Sequence, residues 1–181
     1  MTLNFEVTTY CNAKCYGCFR AHNEDHSLLN KHLKFELFED FIYEKCYGED
    51  LSCVLCGQLG DPILHPDIED IIELCYLRFR KLTISTNGGN RNPNWYRKIT
   101  NKYKKNIEFV FAIDGITQEV NEIYRKGVNF KKAFQNMISC PSRNVIWNYI
   151  IFKHNLHQMR QASIIAKKHN IKIRFMPDAS I

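Results

Sequence analysis

Residues Leu51–Thr86 read LSCVLC (51–56), GQLGDP (57–62), ILHPDIEDIIELCYLRFR (63–80) and KLTIST (81–86), and this stretch decides the architecture. An apolar run gives way to a glycine-rich loop. After Pro66, Ile68, Ile71, Ile72 and Cys75 fall at offsets of zero, three, four and seven, the spacing of one buried helical face. A second apolar run follows. Strand, loop, helix and strand in that order form a βα unit, and repeated βα units give a parallel sheet with helices outside it.

Working outward, the same alternation recurs. Strands are expected near 4–8, 51–56, 81–86, 107–113, 144–151 and 171–176, with helices filling the gaps. Asn155 followed by Gln158 has the form of a capping box opening a helix from Leu156 to His169. Right-handed crossovers curl such a sheet toward a barrel, but a complete eightfold barrel takes about 250 residues. The expectation is therefore an α/β fold, a partial (open) six-stranded parallel β/α barrel that is TIM-barrel-like. One core domain spans 1–181, lacking a final helix because only Asp178-Ala-Ser-Ile181 follow the sixth strand. Its open edge is either bare or covered by a partner chain.

Composition narrows the setting. At 181 residues and 45% apolar the chain can bury one ordinary core. It contains no apolar run of eighteen and opens directly into a strand, so neither a membrane span nor a leader is expected, and the localisation read from it is cytoplasmic. The net charge of +6 includes Arg91, Arg97, Lys98, Lys102, Lys104 and Lys105 within fifteen residues. Aromatic residues are sparse among them, so a solvated helix face is expected rather than a nucleic-acid stripe.

Three of the eight cysteines fall within eight residues, Cys11-Asn-Ala-Lys-Cys15-Tyr-Gly-Cys18, directly after the strand-like Phe5-Glu6-Val7-Thr8. Thiolates this close converge on one inorganic centre and leave it a ligand short, because no fourth cysteine lies nearby. A four-iron cluster normally takes one thiolate per iron, so one iron would stay open. The competing reading of the triplet is a zinc knuckle, with His22 or His26 as fourth ligand. Against it, only three residues separate Cys18 from His22, where a Cys2His2 finger has about twelve between its ligand pairs. Cys53-Val-Leu-Cys56 sits in an expected strand, where residues three apart face opposite ways, so it reads as core. Cys46, Cys75 and Cys140 read the same way.

The triplet, with gaps of three residues and then two, resembles that of the radical S-adenosylmethionine (radical SAM) enzymes. The resemblance extends over roughly residues 3–176. It implies a [4Fe-4S] cluster on Cys11, Cys15 and Cys18 whose open iron chelates S-adenosyl-L-methionine, and an external one-electron donor. Reductive cleavage of that cofactor would give a 5′-deoxyadenosyl radical able to take hydrogen from a substrate. Relatives usually carry an aromatic residue just before the last cysteine; here the place holds Gly17, with aromatics at Tyr16 and Phe19.

Chemistry in parallel βα folds gathers on loops at the carboxyl ends of strands. Gly60-Asp61-Pro62 resembles the family's Gly-Gly-Glu-Pro motif, with Leu59 replacing the first glycine. Thr86-Asn87-Gly88 matches a family loop outright. Ala112-Ile113-Asp114-Gly115 resembles Ser-Ile-Asp-Gly without the serine hydroxyl, which leaves Asp114 or backbone groups for the ribose. Arg125 stands where relatives set an arginine against the cofactor carboxylate, a role its fork suits. Phe152-Lys153-His154-Asn155 resembles a segment of the peptide-modifying subgroup near the adenine, although Asn155 also suits a helix cap. The sequence does not name the substrate; the resemblance favours a peptide or protein, with a nucleotide or another small molecule left open. A zinc-stabilised nucleic-acid- or protein-binding module, and a remnant that binds the cofactor without cleaving it, are the alternatives.

Overall fold

The computed structural model describes residues 1–22, 30–46 and 50–177. Six parallel strands form one sheet in sequence order: β1 (Thr2–Phe5), β2 (Ser52–Leu55), β3 (Lys81–Thr86), β4 (Ile107–Ala112), β5 (Val145–Ile151) and β6 (Lys172–Pro177). After β1 come the short α1 (Phe19–His22) and α2 (Phe35–Lys45). Then α3 (Ile68–Arg78) and α4 (Pro93–Tyr103) follow β2 and β3. The pair α5 (Gln118–Tyr124) and α6 (Phe130–Ser139) links β4 to β5, and α7 (Met159–Lys168) links β5 to β6. The strand order never closes β6 onto β1, so the sheet is the open, TIM-barrel-like one expected. Asp178–Ile181 lie outside the described residues. Among those described, no helix is long and apolar enough to cross a membrane.

Register makes the core. Cys53, Leu82 and Ile107 lie side by side across β2, β3 and β4, as do Leu55, Ile84 and Phe109, while Phe111 pairs with Trp147. All of these are buried, and they form the helix-facing side. Tyr96 of α4 meets Phe109 edge-on at 5.2 Å, Phe134 of α6 meets Trp147 at 6.2 Å, and Phe38 of α2 meets Phe5 at 5.2 Å. On the other side Val110 and Ile146 are buried, but Val54, Thr83, Ser85, Ala112 and Asn148 are only half-buried. A closed parallel barrel would cover both faces; here the concave face stays open and becomes the wall of a cavity.

Helix α3 buries Ile68, Ile71, Ile72 and Cys75, as their spacing requires. Two sequence expectations need correction. The first strand is Thr2–Phe5, not 4–8, because its partner β2 stops at Leu55. Beyond it the backbone is satisfied by the returning chain: Leu33 N–H donates to the Val7 carbonyl at 2.9 Å and Thr9 N–H to that of Lys31 at 2.9 Å. The capping box is also absent. Asn155 caps no helix; a 3-10 turn, Leu156–Gln158, precedes α7, and the Gln158 Oε1 accepts the Ile116 N–H at 2.8 Å. Both side chains are drawn away from the helix start by donors of the preceding loops.

Candidate metal and cofactor site

The cysteine loop is pinned from both sides. Lys14 N–H donates to the Lys126 carbonyl at 2.8 Å and Tyr16 N–H to the Tyr124 carbonyl at 3.1 Å, while Arg20 Nε donates to the Thr9 carbonyl at 3.0 Å. Cys15 and Cys18 are joined by a turn, Cys18 N–H to Cys15 carbonyl at 3.2 Å, whose Gly17 has φ +77. A side chain there would be strained, which accounts for the glycine at this place. Of the two displaced aromatics, Phe19 lines the cavity that the loop borders, whereas Tyr16 is not among its lining residues.

That cavity measures about 790 Å³ and is bordered by all three cysteines, the Gly57–Asp61 loop, Ser85–Asn87, Ala112 and Arg125. Its size falls in the range of about 300–1,000 Å³ typical of ligand sites. Burial pushes the Cys11 thiol up to about 11 and raises that of Cys15, against the pull of the neighbouring Arg125 guanidinium. Such groups stay thiols until a cation is supplied, and metal binding must then release their protons.

Donors already face two of the three sulfurs: Asn87 Nδ2 lies 3.8 Å from Cys11 Sγ and Arg125 Nη1 3.7 Å from Cys15 Sγ. Three sulfurs beside an open cavity, two with N–H groups turned toward them, suit an iron–sulfur centre. Among the described residues, no group of three or more His, Cys, Asp or Glu side chains is arranged to hold a single metal ion. A four-iron cube is wider than an ion, and ligands to different irons need not converge on one point. Only the backbone of His22 is described, and His26 lies outside the described residues.

The loop after β2 depends on close approach. A Cβ on Gly60 would overlap the Thr8 carbonyl oxygen and lie 2.8 Å from that of Tyr10. Glu6 accepts the next two free donors, Gln58 N–H at 2.9 Å and Leu59 N–H at 3.3 Å. Glu6, expected as part of a strand, lies just past the end of β1, and its bond to a loop more than fifty residues on has no local sequence signal.

Asp61 lines the cavity but is 2% exposed. Its Oδ2 accepts Thr86 Oγ1 and Asn87 N–H, both at 2.9 Å, and its Oδ1 accepts Ile63 N–H at 3.2 Å. Burial raises its pKa from the ordinary 3.8, although these three donors pull the other way. Pro62 is buried at the start of a 3-10 turn and does not line the cavity. Asn87 does line it, and also donates to Asn12 Oδ1 at 2.8 Å. Asn12, between the cysteines, holds Asn90 too at 2.7 Å, a bracing role that the sequence reading overlooked.

Asp114 and Asn155 stand behind the cavity rather than in it. Asp114 is 0% exposed; Oδ1 accepts Ile150 N–H and Oδ2 accepts Arg125 Nε, each at 2.6 Å. Asn155, equally buried, donates Nδ2 to the carbonyls of Asp114 at 2.9 Å and Ile150 at 2.8 Å, and its Oδ1 accepts Phe152 N–H at 2.8 Å. The carboxylate that Arg125 meets in this structure is therefore Asp114. Cys53 is buried, with its Sγ 3.8 Å from Cys75, and Cys56 lies beyond the strand end with its sulfur toward the Val54 carbonyl. Lys98 and Lys102 of the basic helix pair with Glu69 at 2.7 Å and Glu73 at 3.1 Å on α3, which neutralises part of the stripe.

No family model matches the chain. It is 31% identical over 86 residues to the tungsten-containing aldehyde ferredoxin oxidoreductase cofactor-modifying protein of Pyrococcus furiosus, covering 48% of this chain and 23% of that protein. To AlbA, the antilisterial bacteriocin subtilosin biosynthesis protein of Bacillus subtilis, it is 24% identical over 121 residues, covering 67% and 26%. In structure it is similar to AdoMet-bound anSMEcpe, with TM-score 0.74 and 16% identity over 97% of this chain and 50% of that one. It is likewise similar to Streptococcus suis SuiB bound to its precursor peptide SuiA, with TM-score 0.76 and 18% identity over 97% and 39%. The chain thus spans about a quarter of the length of these curated relatives and half or less of these structures.

Proposed function

We propose that this chain, which has the radical SAM core fold and that superfamily's cysteine triplet, is an enzyme that holds a [4Fe-4S] cluster on Cys11, Cys15 and Cys18 with S-adenosyl-L-methionine beside it. Its reaction would remove hydrogen from a peptide or protein. The observation that carries this reading is the convergence of three cysteines, the Gly57–Asp61 backbone and Arg125 on one cavity. The AdoMet bound by anSMEcpe and the precursor peptide bound by SuiB support the cofactor and the substrate class. When bound, the cluster would supply one electron to the cofactor's sulfonium, releasing a 5′-deoxyadenosyl radical.

The chain's own residues would bind and orient. Glu6 takes up the Gln58 and Leu59 N–H groups and so fixes the loop that lines the cavity, where the loop's backbone would hold the cofactor's amino group. Asn87 and Arg125 present donors to ligand sulfurs and to anionic groups nearby. Ala112 offers the ribose no hydroxyl, so backbone groups would hold it. All eight cysteines are free, which suits the reducing cytoplasm and an external electron donor.

Anaerobic reconstitution tests the assignment. Cys11→Ala, Cys15→Ala or Cys18→Ala should each abolish the visible absorption of the cluster, while Cys53→Ala and Cys56→Ala should leave it at about four irons and four sulfides per chain. Wild-type protein given reductant should slowly convert the cofactor to 5′-deoxyadenosine, read by chromatography. Zinc with no iron would establish the binding-module reading; a full cluster over intact cofactor would establish a remnant.

A further inference from the structure

The three proposed ligand sulfurs sit in unequal surroundings. Cys18 Sγ lies 3.9 Å from a carbonyl, that of Gln58, and Cys11 Sγ faces the neutral amide of Asn87. Cys15 Sγ faces the charged guanidinium of Arg125. That guanidinium is itself gripped from the opposite side by Asp114, at 2.6 Å, with the Tyr124 ring 4.9 Å from its carbon. The side chains of Arg125 and Asp114 are 14% and 0% exposed, so water screens the pair little. Asp114 cannot swing away, because Ile150 N–H holds its Oδ1, Asn121 Oδ1 accepts its backbone N–H at 2.9 Å, and Asn155 holds its carbonyl.

We propose that the Asp114–Arg125 pair sets the reduction potential of the cluster held through Cys15, with Arg125 lending positive charge to the ligand sulfur and Asp114 limiting how much arrives. The proposal rests on the reading that Cys15 is a cluster ligand. Reduction adds one electron, and therefore one negative charge, to the cluster. A cation or an N–H donor at a ligand sulfur favours that state and raises the potential, whereas a carboxylate behind the cation opposes it. The two halves of the pair thus act with opposite signs. Asp114 touches no ligand sulfur; its negative charge acts on the cluster from behind Arg125.

The test is a potentiometric titration, with dithionite as reductant and electron paramagnetic resonance as readout, on reconstituted protein without S-adenosyl-L-methionine. Wild type is compared with Arg125→Gln, Arg125→Lys, Asp114→Asn and the Arg125→Gln/Asp114→Asn double variant. Iron and sulfide are counted first: wild type that takes up no iron sinks the cluster reading itself. In loaded protein, Arg125→Gln should be about tenfold harder to reduce, about 59 mV lower for a one-electron couple. Asp114→Asn should be easier to reduce by a similar factor. The double variant should return to within about threefold of wild type, and Arg125→Lys, which keeps the charge, should shift less than Arg125→Gln.

A merely structural pair would move both single variants the same way. That result, coincident potentials in all loaded variants, or equal shifts for Arg125→Lys and Arg125→Gln would overturn the proposal. Should Arg125→Gln fail to load, Asp114→Asn, which has nearly the same shape, and the double variant, which strands no buried charge, still decide the sign.

Discussion

Removing the Asp61 carboxylate should destabilise the fold by more than a cavity contact would, and the amount can be worked from its partners. Three donors, Thr86 Oγ1, Asn87 N–H and Ile63 N–H, end on a side chain that is 2% exposed. Asp61→Ala orphans all three, and each stranded buried donor costs about 1–3 kcal/mol. The neighbouring cavity admits water and refunds part of this, leaving about 3–5 kcal/mol in total. Asp61→Asn keeps one acceptor oxygen, which can serve Thr86 and Asn87 but not Ile63 as well, so its loss should be about 1–2 kcal/mol.

The sign with pH is separate. Because burial raises the folded pKa above 3.8, this group's contribution to stability is fully present below that value and is lost as pH rises through the folded pKa. Asp61→Asn should remove that downward slope. Urea unfolding across pH, at constant m, measures both effects. An Asp61→Ala protein within about 1 kcal/mol of wild type would refute the idea that this carboxylate is a strut rather than a ligand contact.

Two further outcomes follow from partners on the page. Asn155→Ala should cost about 2–4 kcal/mol in the same assay, since it strands the Phe152 N–H and the carbonyls of Asp114 and Ile150 in a site with 0% exposure; a loss under about 1 kcal/mol would contradict it. Lys98→Ala and Lys102→Ala should each change stability by less than about 1 kcal/mol, because both pair with α3 acids at the surface.

The helix-facing residues were legible in the sequence because one period governs them: Ile68, Ile71, Ile72 and Cys75 are buried as their spacing demands. The triplet was legible because its spacing constrains backbone as well as chemistry. What spacing could not reveal is where short polar side chains spend their hydrogen bonds. Asn155 and Gln158 have the form of a capping box, yet the nearest unsatisfied donors, Phe152 N–H and Ile116 N–H, lie in the loops behind them and win both oxygens. Strand β1 ends early for a related reason, since Val7 and Thr9 find partners in a segment 22 or more residues downstream, a pairing with no local signature.

The motif residues at the strand ends thereby divide into two kinds. Asp61 ties the loop of β2 to the end of β3; Asp114 ties the end of β4 to Ile150 in β5; Asn155 closes the same corner from behind. Each joins neighbouring strands at the carboxyl-end rim of the sheet, just past the last paired residues. These side chains are spent on the scaffold. Residues 57–60, Asn87, Ala112 and Arg125 line the cavity, with Asp61 beside them. At position 61 a strut needs acceptor oxygens within reach of Thr86, Asn87 and Ile63, while Gly60 lets the loop pass against the Thr8 and Tyr10 carbonyls where an added Cβ would not fit.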